Sequence, residues 1–228
     1  MSHPDDQSPV NPLPPVVTAL FLLLVGVEAV LWLGSKGIIG GPSAIGWRLE
    51  TIQKYAFSPD IFGWMLTTGQ WPFEHVIRCV TYLFVHASFS HALFGGVLLL
   101  AMGKMVGEVF SGLATLVVFV ASGVVGALVY ALILGSAPAL VGSYPGVYGL
   151  IGAFTFLMWT RLGEIGAPQA RAFSLIGMLV AIQLLFGLIF GGGPDWLADV
   201  IGFGTGFVIS FALTPGGWQR IREKIRRQ

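Results

Sequence analysis

Long stretches of this chain contain no charged residue, and those stretches set its elements. A bilayer core of about 30 Å, at a helical rise of about 1.5 Å per residue, asks for about 20 apolar residues per crossing. Val16 to Leu33 is one such run, interrupted only by Glu28, and Cys79 to Gly103 is a second. From Val109 to Thr160 no Asp, Glu, Lys or Arg occurs over 52 residues. That is too long for one helix, and Gly135, Pro138, Gly142 and Pro145 break it near its middle. The pattern predicts two spans there, roughly 111–135 and 143–160, joined by a short apolar loop. Ala172 to Phe190 makes a fifth span, closed by the glycines Gly191 to Gly193, and Val200 to Leu213 a shorter sixth that Ala198 and Asp199 extend. The expected fold is an all-α membrane protein of six transmembrane helices over 16–213, with an N-terminal tail over 1–15 and a basic tail over 214–228.

Composition agrees. Hydrophobic residues make up 55% of the 228 and charged ones 10%, whereas a soluble domain carries about 25% charged residues. Mean hydropathy is +0.81. The single cysteine, Cys79, excludes an internal disulfide framework, and nothing in the charge pattern calls for nucleic acid. The position of the charges says more than their net of +1. With six spans both termini share a side, which holds Lys104, Arg161, Arg171, Arg220, Arg222, Lys224, Arg226 and Arg227, against Lys36, Arg48, Lys54 and Arg78 opposite. Basic flanks resist translocation, so both ends are expected in the cytoplasm, of a bacterial inner membrane. The stretch Trp218 to Gln228 reads either as a basic amphipathic segment on anionic headgroups or as a solubilising flank. Residues 1–15 have Asp5 and Asp6 but no Lys or Arg, so they lack the basic start of a secretory signal and span one is expected to stay as an anchor.

Between spans one and two, Gly34 to Arg78 carries Trp47, Trp64 and Trp71 among Ile, Leu and Phe. This suits short helices half sunk at the membrane interface better than a flexible loop. Polar residues inside apolar spans are costly and attract a functional reading. His86 and His91 stand five apart beside Thr81, Ser88 and Ser90. No third ligand lies at metal-binding spacing, and a zinc site needs three or four, so neither a metal nor another cofactor is expected. Glu28 and Asp199 should be protonated, paired or wetted; Glu28, near the outer end of its span, points to a link with the first loop.

The stretch Arg78, Thr81, Phe84, His86, His91, Gly103 and Gly107-Glu108 resembles the second span of the rhomboid family of intramembrane serine proteases. Val147-Tyr148-Gly149-Leu150-Ile151-Gly152 is similar to the run after the rhomboid nucleophile, and Asp199-x-x-Gly202-x-x-x-Gly206 to the sixth span, which a His opens in the family. The resemblance covers nearly the whole chain. It implies a six-helix bundle with an interfacial first loop, in which His86, Glu108, Tyr148, Gly202 and Gly206 serve packing and structure. Gly202 and Gly206 would let span six approach span four, whose Gly146, Gly149 and Gly152 offer a small face, with Tyr148 on the same seam.

The same resemblance implies a Ser–His dyad and oxyanion donors, and here the sequence departs. The nucleophile's place is held by Tyr144 and the following glycine by Pro145; the place of the base is held by Asp199. Of the two oxyanion donors His91 remains, but the Asn position is Gly95. A hydroxyl nucleophile needs an adjacent base at neutral pH, no histidine lies after His91, and loss of one oxyanion donor costs about 10² to 10³ in rate. Ser143, one residue early, is the rescue candidate, with His91, His86 or Asp199 as base. If helical it would point about 100° from the family direction, and it also reads as the N-cap of span four. Three functions stay open: a pseudoprotease that binds transmembrane helices of other proteins, an active serine protease through Ser143, and a packing subunit or assembly factor of a larger membrane complex. A small transporter would show repeated halves, which are absent here.

Overall fold

The computed structural model describes residues 11–190 and 192–214. Most of the two predicted tails, including Trp218 to Gln228, and Gly191 of the glycine run lie outside the described residues. The helices are α1 (Pro15–Ser35), α2 (Trp47–Tyr55), α3 (Pro59–Thr68), α4 (Phe73–Val76), α5 (Arg78–Thr81), α6 (Phe89–Gly107), α7 (Gly112–Leu134), α8 (Tyr144–Glu164), α9 (Ser174–Phe190) and α10 (Trp196–Leu213). Six of them, of 17 to 23 residues, form the body of an all-α membrane protein. By length and composition alone α1, α6, α7 and α10 are apolar enough to cross a bilayer; α8 and α9 complete the bundle beside them.

α1 begins with Pro15 in its first turn, where a missing N–H costs nothing. It buries Val17, Leu20, Leu24, Glu28 and Leu31, a face at three- and four-residue spacing, against α6. Counting only charge-free residues cut two spans short. α6 runs past Lys104 to Gly107 and α8 past Arg161 to Glu164, because a long basic side chain at a span end reaches water while its backbone stays helical.

The predicted second span starts in the wrong place. Cys79 to Phe84 form a short helix and a 3-10 turn, after which the chain extends at Val85 (φ −107°, ψ 129°) and again at Ser88 (φ −153°, ψ 165°). The helix starts only at Phe89, with Ser88 Oγ accepting the His91 N–H at 3.2 Å. Apolarity alone does not reveal this break. It comes from the serine cap and from Arg48, which takes the His86 carbonyl at 2.8 Å.

The first loop folds as short helices, as its tryptophan pattern predicts, with Trp64 and Trp71 exposed. It is fastened at two points. Phe57 and Leu140 exchange backbone hydrogen bonds of 3.1 and 2.8 Å, tying the loop to the α7–α8 connection. Arg48 of α2 makes a two-pronged ion pair with Glu28 of α1, at 3.0 and 2.6 Å, the link that the position of Glu28 suggested.

α7, α8 and α10 form the tightest part of the bundle, and glycine makes it possible. A Cβ on Gly202 would run into the Pro145 carbonyl, one on Gly206 into the Gly149 carbonyl, and one on Gly152 into the Phe203 carbonyl. The expected α8 face needs one correction. Gly146 and Gly149 turn their Cα hydrogens to Phe119 and Ser122 of α7, so α8 is small on two sides and is clasped between α7 and α10. By contrast α9 packs chiefly against α10 and the 3-10 turn before it, leaving Met178, Ile182 and Leu188 exposed on the protein surface.

Candidate functional site

Gly142, in a left-handed conformation (φ +104°), turns the chain into α8. Its N–H donates to the Tyr82 carbonyl at 2.9 Å, and a Cβ there would meet the His91 ring at 2.8 Å. Tyr82, itself fully buried, donates its hydroxyl to the Gly123 carbonyl of α7 at 2.8 Å. The start of α8 is therefore seated directly on the His86–His91 segment.

Tyr144 opens α8 with its ring stacked on His91, centroids 4.8 Å apart and planes 13° from parallel. Its hydroxyl donates to the His91 carbonyl at 3.2 Å. A phenol held this way blocks the imidazole face and has no base at its oxygen, so at the position that the resemblance gives to the nucleophile Tyr144 acts as a packing group.

Ser143 occupies the N-cap position of α8 but makes no side-chain cap bond. The expected capping role fails because the hydroxyl has turned inward. Ser143 Oγ lies 3.3 Å from His86 Nε2, and the Ser143 N–H donates to that same nitrogen at 3.2 Å. Ser143 is fully buried. A Cβ on Gly95 would come within 2.6 Å of its Oγ, so the hydroxyl fills space that an asparagine at 95 would require.

Of the three proposed bases, His86 is thus the one the fold brings to Ser143. It is a poor one for three reasons. Its Nε2 lone pair already accepts the backbone N–H, which leaves the ring proton on Nδ1, a buried atom with no partner. No third group orients the ring, as a catalytic base requires. His86 precedes the spanning helix, and burial, with His91 and Arg48 nearby, lowers its pKa from the ordinary imidazole value to about 3.

Asp199, in the first turn of α10, accepts from Gln183 Nε2 at 2.8 Å, and Gln183 Oε1 accepts the Tyr148 hydroxyl at 3.2 Å. This chain joins α8, α9 and α10, and places Tyr148 on the α9 side rather than on the glycine seam alone. Gln183 was missed at the sequence level, although the signal was there: it is the only amide in an otherwise apolar span, and the rule that singled out Glu28 and Asp199 applies to it equally. Arg48 was missed as the partner of Glu28 because twenty residues and a reversal of the chain separate them. Glu108 departs from its expected structural role. It is exposed at the end of α6, 3.9 Å from Lys104, an arrangement that contributes little.

Tyr82, His91, Leu140, Val141, Tyr144, Pro145, Gln183, Asp195 and Asp199 line a cavity of about 210 Å³. A water occupies about 30 Å³ of liquid, so several fit. Ser143 and His86 are not part of its wall. Among the described residues no three His, Cys, Asp or Glu side chains converge as metal ligands.

The Rhomboid domain family model matches residues 74–216, more than half of the chain, from the end of the first loop through α10. Among curated proteins the chain is similar to YdcA of Bacillus subtilis (strain 168), named provisionally as a rhomboid protease. They are 25% identical over 197 residues, which cover 86% of this chain and 87% of the relative. The match takes in His86, α6 with His91, the start of α8 and the Asp199 turn, and this chain belongs to the rhomboid family.

Proposed function

We propose that this rhomboid-family protein is a pseudoprotease of the bacterial inner membrane, with both termini in the cytoplasm, that binds transmembrane segments of client or partner proteins without cutting them. The observation that carries this reading is the state of the dyad positions. Tyr144 is stacked on His91 and Asp199 is committed to Gln183, so neither place offers a nucleophile with an adjacent base. What the bundle keeps is a polar cavity against α8 and α10, next to a helix, α9, whose apolar face lies open to the bilayer. That combination suits recognition of a neighbouring helix more than chemistry.

A second reading has one observation in its favour. The 3.3 Å approach of Ser143 Oγ to His86 Nε2 has the spacing of a serine–histidine pair. Its burial and the occupied Nε2 lone pair argue against it, since peptide could reach Ser143 only if the start of α8 moved.

The test uses the full-length protein reconstituted in liposomes. A fluorophosphonate probe should label no serine, and a transmembrane substrate should remain intact over hours. Labelling at Ser143, or cleavage abolished by Ser143→Ala, overturns the pseudoprotease reading. Gentle extraction then separates the two non-enzymatic roles: many substoichiometric companions mark client recognition, and one stoichiometric companion marks a packing subunit or assembly factor.

A further inference from the structure

Asp199 is 4% exposed, and among the described residues it has no cationic partner. One carboxylate oxygen accepts from Gln183; the other has no hydrogen-bond donor among the described residues. It faces a cavity whose remaining polar lining is two phenols, an imidazole, an amide and a second carboxylate, Asp195. No lysine or arginine lines that cavity, and Arg48 is paired with Glu28. A buried carboxylate is protonated, wetted or paired, and the cavity beside this one leaves room for a partner.

The arrangement of the two carboxylates gives the cavity a direction. Asp195, exposed, and Asp199, buried, stand four residues apart at the start of α10, so one lies about a helical turn deeper than the other. Leu140, Val141 and Pro145 supply an apolar flank, and Tyr82 and Tyr144 also line the cavity. An aliphatic stem ending in a positive charge matches this lining, with apolar side chains in the wall and a carboxylate that is buried.

We infer that the cavity is a binding site for the side chain of a lysine or arginine carried in the outer part of a client transmembrane helix, with Asp199 as its counter-ion and Asp195 at the entrance. The inference rests on the client-binding reading and names the class of client. A basic residue within a span is strongly disfavoured in lipid, so a helix bearing one gains most from such a cavity. In this site the position that a family protease gives to its base selects partners by charge.

The experiment uses the full-length protein in phosphatidylglycerol nanodiscs and fluorescent transmembrane peptides of about 24 residues, long enough to span. The peptides differ only at one residue, a turn inside the outer interface: Lys, Arg, Gln or Leu. The Lys and Arg peptides should bind at least about tenfold more tightly than the Gln peptide, as expected for a desolvated charge pair. Asp199→Asn, nearly isosteric, should erase that preference, with an unchanged detergent melting temperature reporting that the variant is folded; Asp195→Asn should reduce the preference partly. Equal binding of Lys and Gln peptides overturns the charge site and leaves client recognition standing. Binding of none of the peptides overturns the client reading itself. If phosphatidylethanolamine added to the nanodiscs removes the Lys preference, the cavity belongs to a lipid ammonium headgroup and the assignment to a client side chain falls.

Discussion

At Gly95 the absence of a side chain is what lets Ser143 turn inward. The space beside Gly95 is taken by the Ser143 hydroxyl, and a single added methyl would lie 2.6 Å from it. Gly95→Ala should therefore destabilise the protein by about 1–3 kcal/mol through overpacking, and the double variant Gly95→Ala with Ser143→Ala should recover part of the loss; thermal melting in detergent reads both. At the positions that the rhomboid resemblance gives to an oxyanion asparagine and to the residue before the nucleophile, Gly95 and Ser143 form one coupled pair. A sequence reading registers two separate departures, because the residues are 48 positions apart and only the seating of α8 on α6 brings them together.

At the scale of elements, the first loop and the α8–α10 seam are held by different physics. The loop depends on the Arg48–Glu28 pair, which is largely buried. Removing one partner leaves an uncompensated charge, so Arg48→Gln should cost about 3–5 kcal/mol, whereas Arg48→Gln together with Glu28→Gln should cost clearly less. A double-mutant cycle of detergent melting temperatures measures the difference. The seam depends on shape. Gly206 meets the Gly149 carbonyl of α8 with no room for a side chain, and Gly206→Leu should prevent folding of the bundle, read as aggregation in size-exclusion chromatography. The small-residue spacing of span six was legible in the sequence; that α8 is clasped on two sides was not, because which face each glycine presents depends on how the neighbouring helices are placed.

The whole molecule is uneven in its packing. α7, α8 and α10 share a glycine-lined, fully buried interior, while α9 is joined to the rest chiefly through α10, the 3-10 turn before it and the Tyr148–Gln183–Asp199 hydrogen bonds. Local openings draw on the least packed elements first. Amide hydrogen exchange in nanodiscs should show the backbone of Ser174–Phe190 exchanging earliest among the long helices and that of Tyr144–Glu164 latest, with Gln183→Leu widening the gap. Equal protection of α8 and α9 would contradict this ordering. The looseness of α9 and the polar cavity beside it meet at Gln183, which lines the cavity and links α9 to Tyr148 and Asp199.

Sequence alone established the solvent, the six long helices and which residues stand at 144 and 199, because charge-free length and residue identity are local properties that no neighbour can change. It also located Glu28 and Asp199 as anomalies, since burying a carboxylate in a bilayer is costly whatever surrounds it. Only the tertiary structure decided what those anomalies do. It set the start of α6 at Phe89, gave Glu28 its partner in Arg48, turned Ser143 toward His86 instead of a helix cap, and left Asp199 facing a cavity with one neutral donor. Apart from the Ser88 cap of α6, these outcomes are pairings between residues separated in the chain, fixed by distances of about 3 Å that helix packing creates.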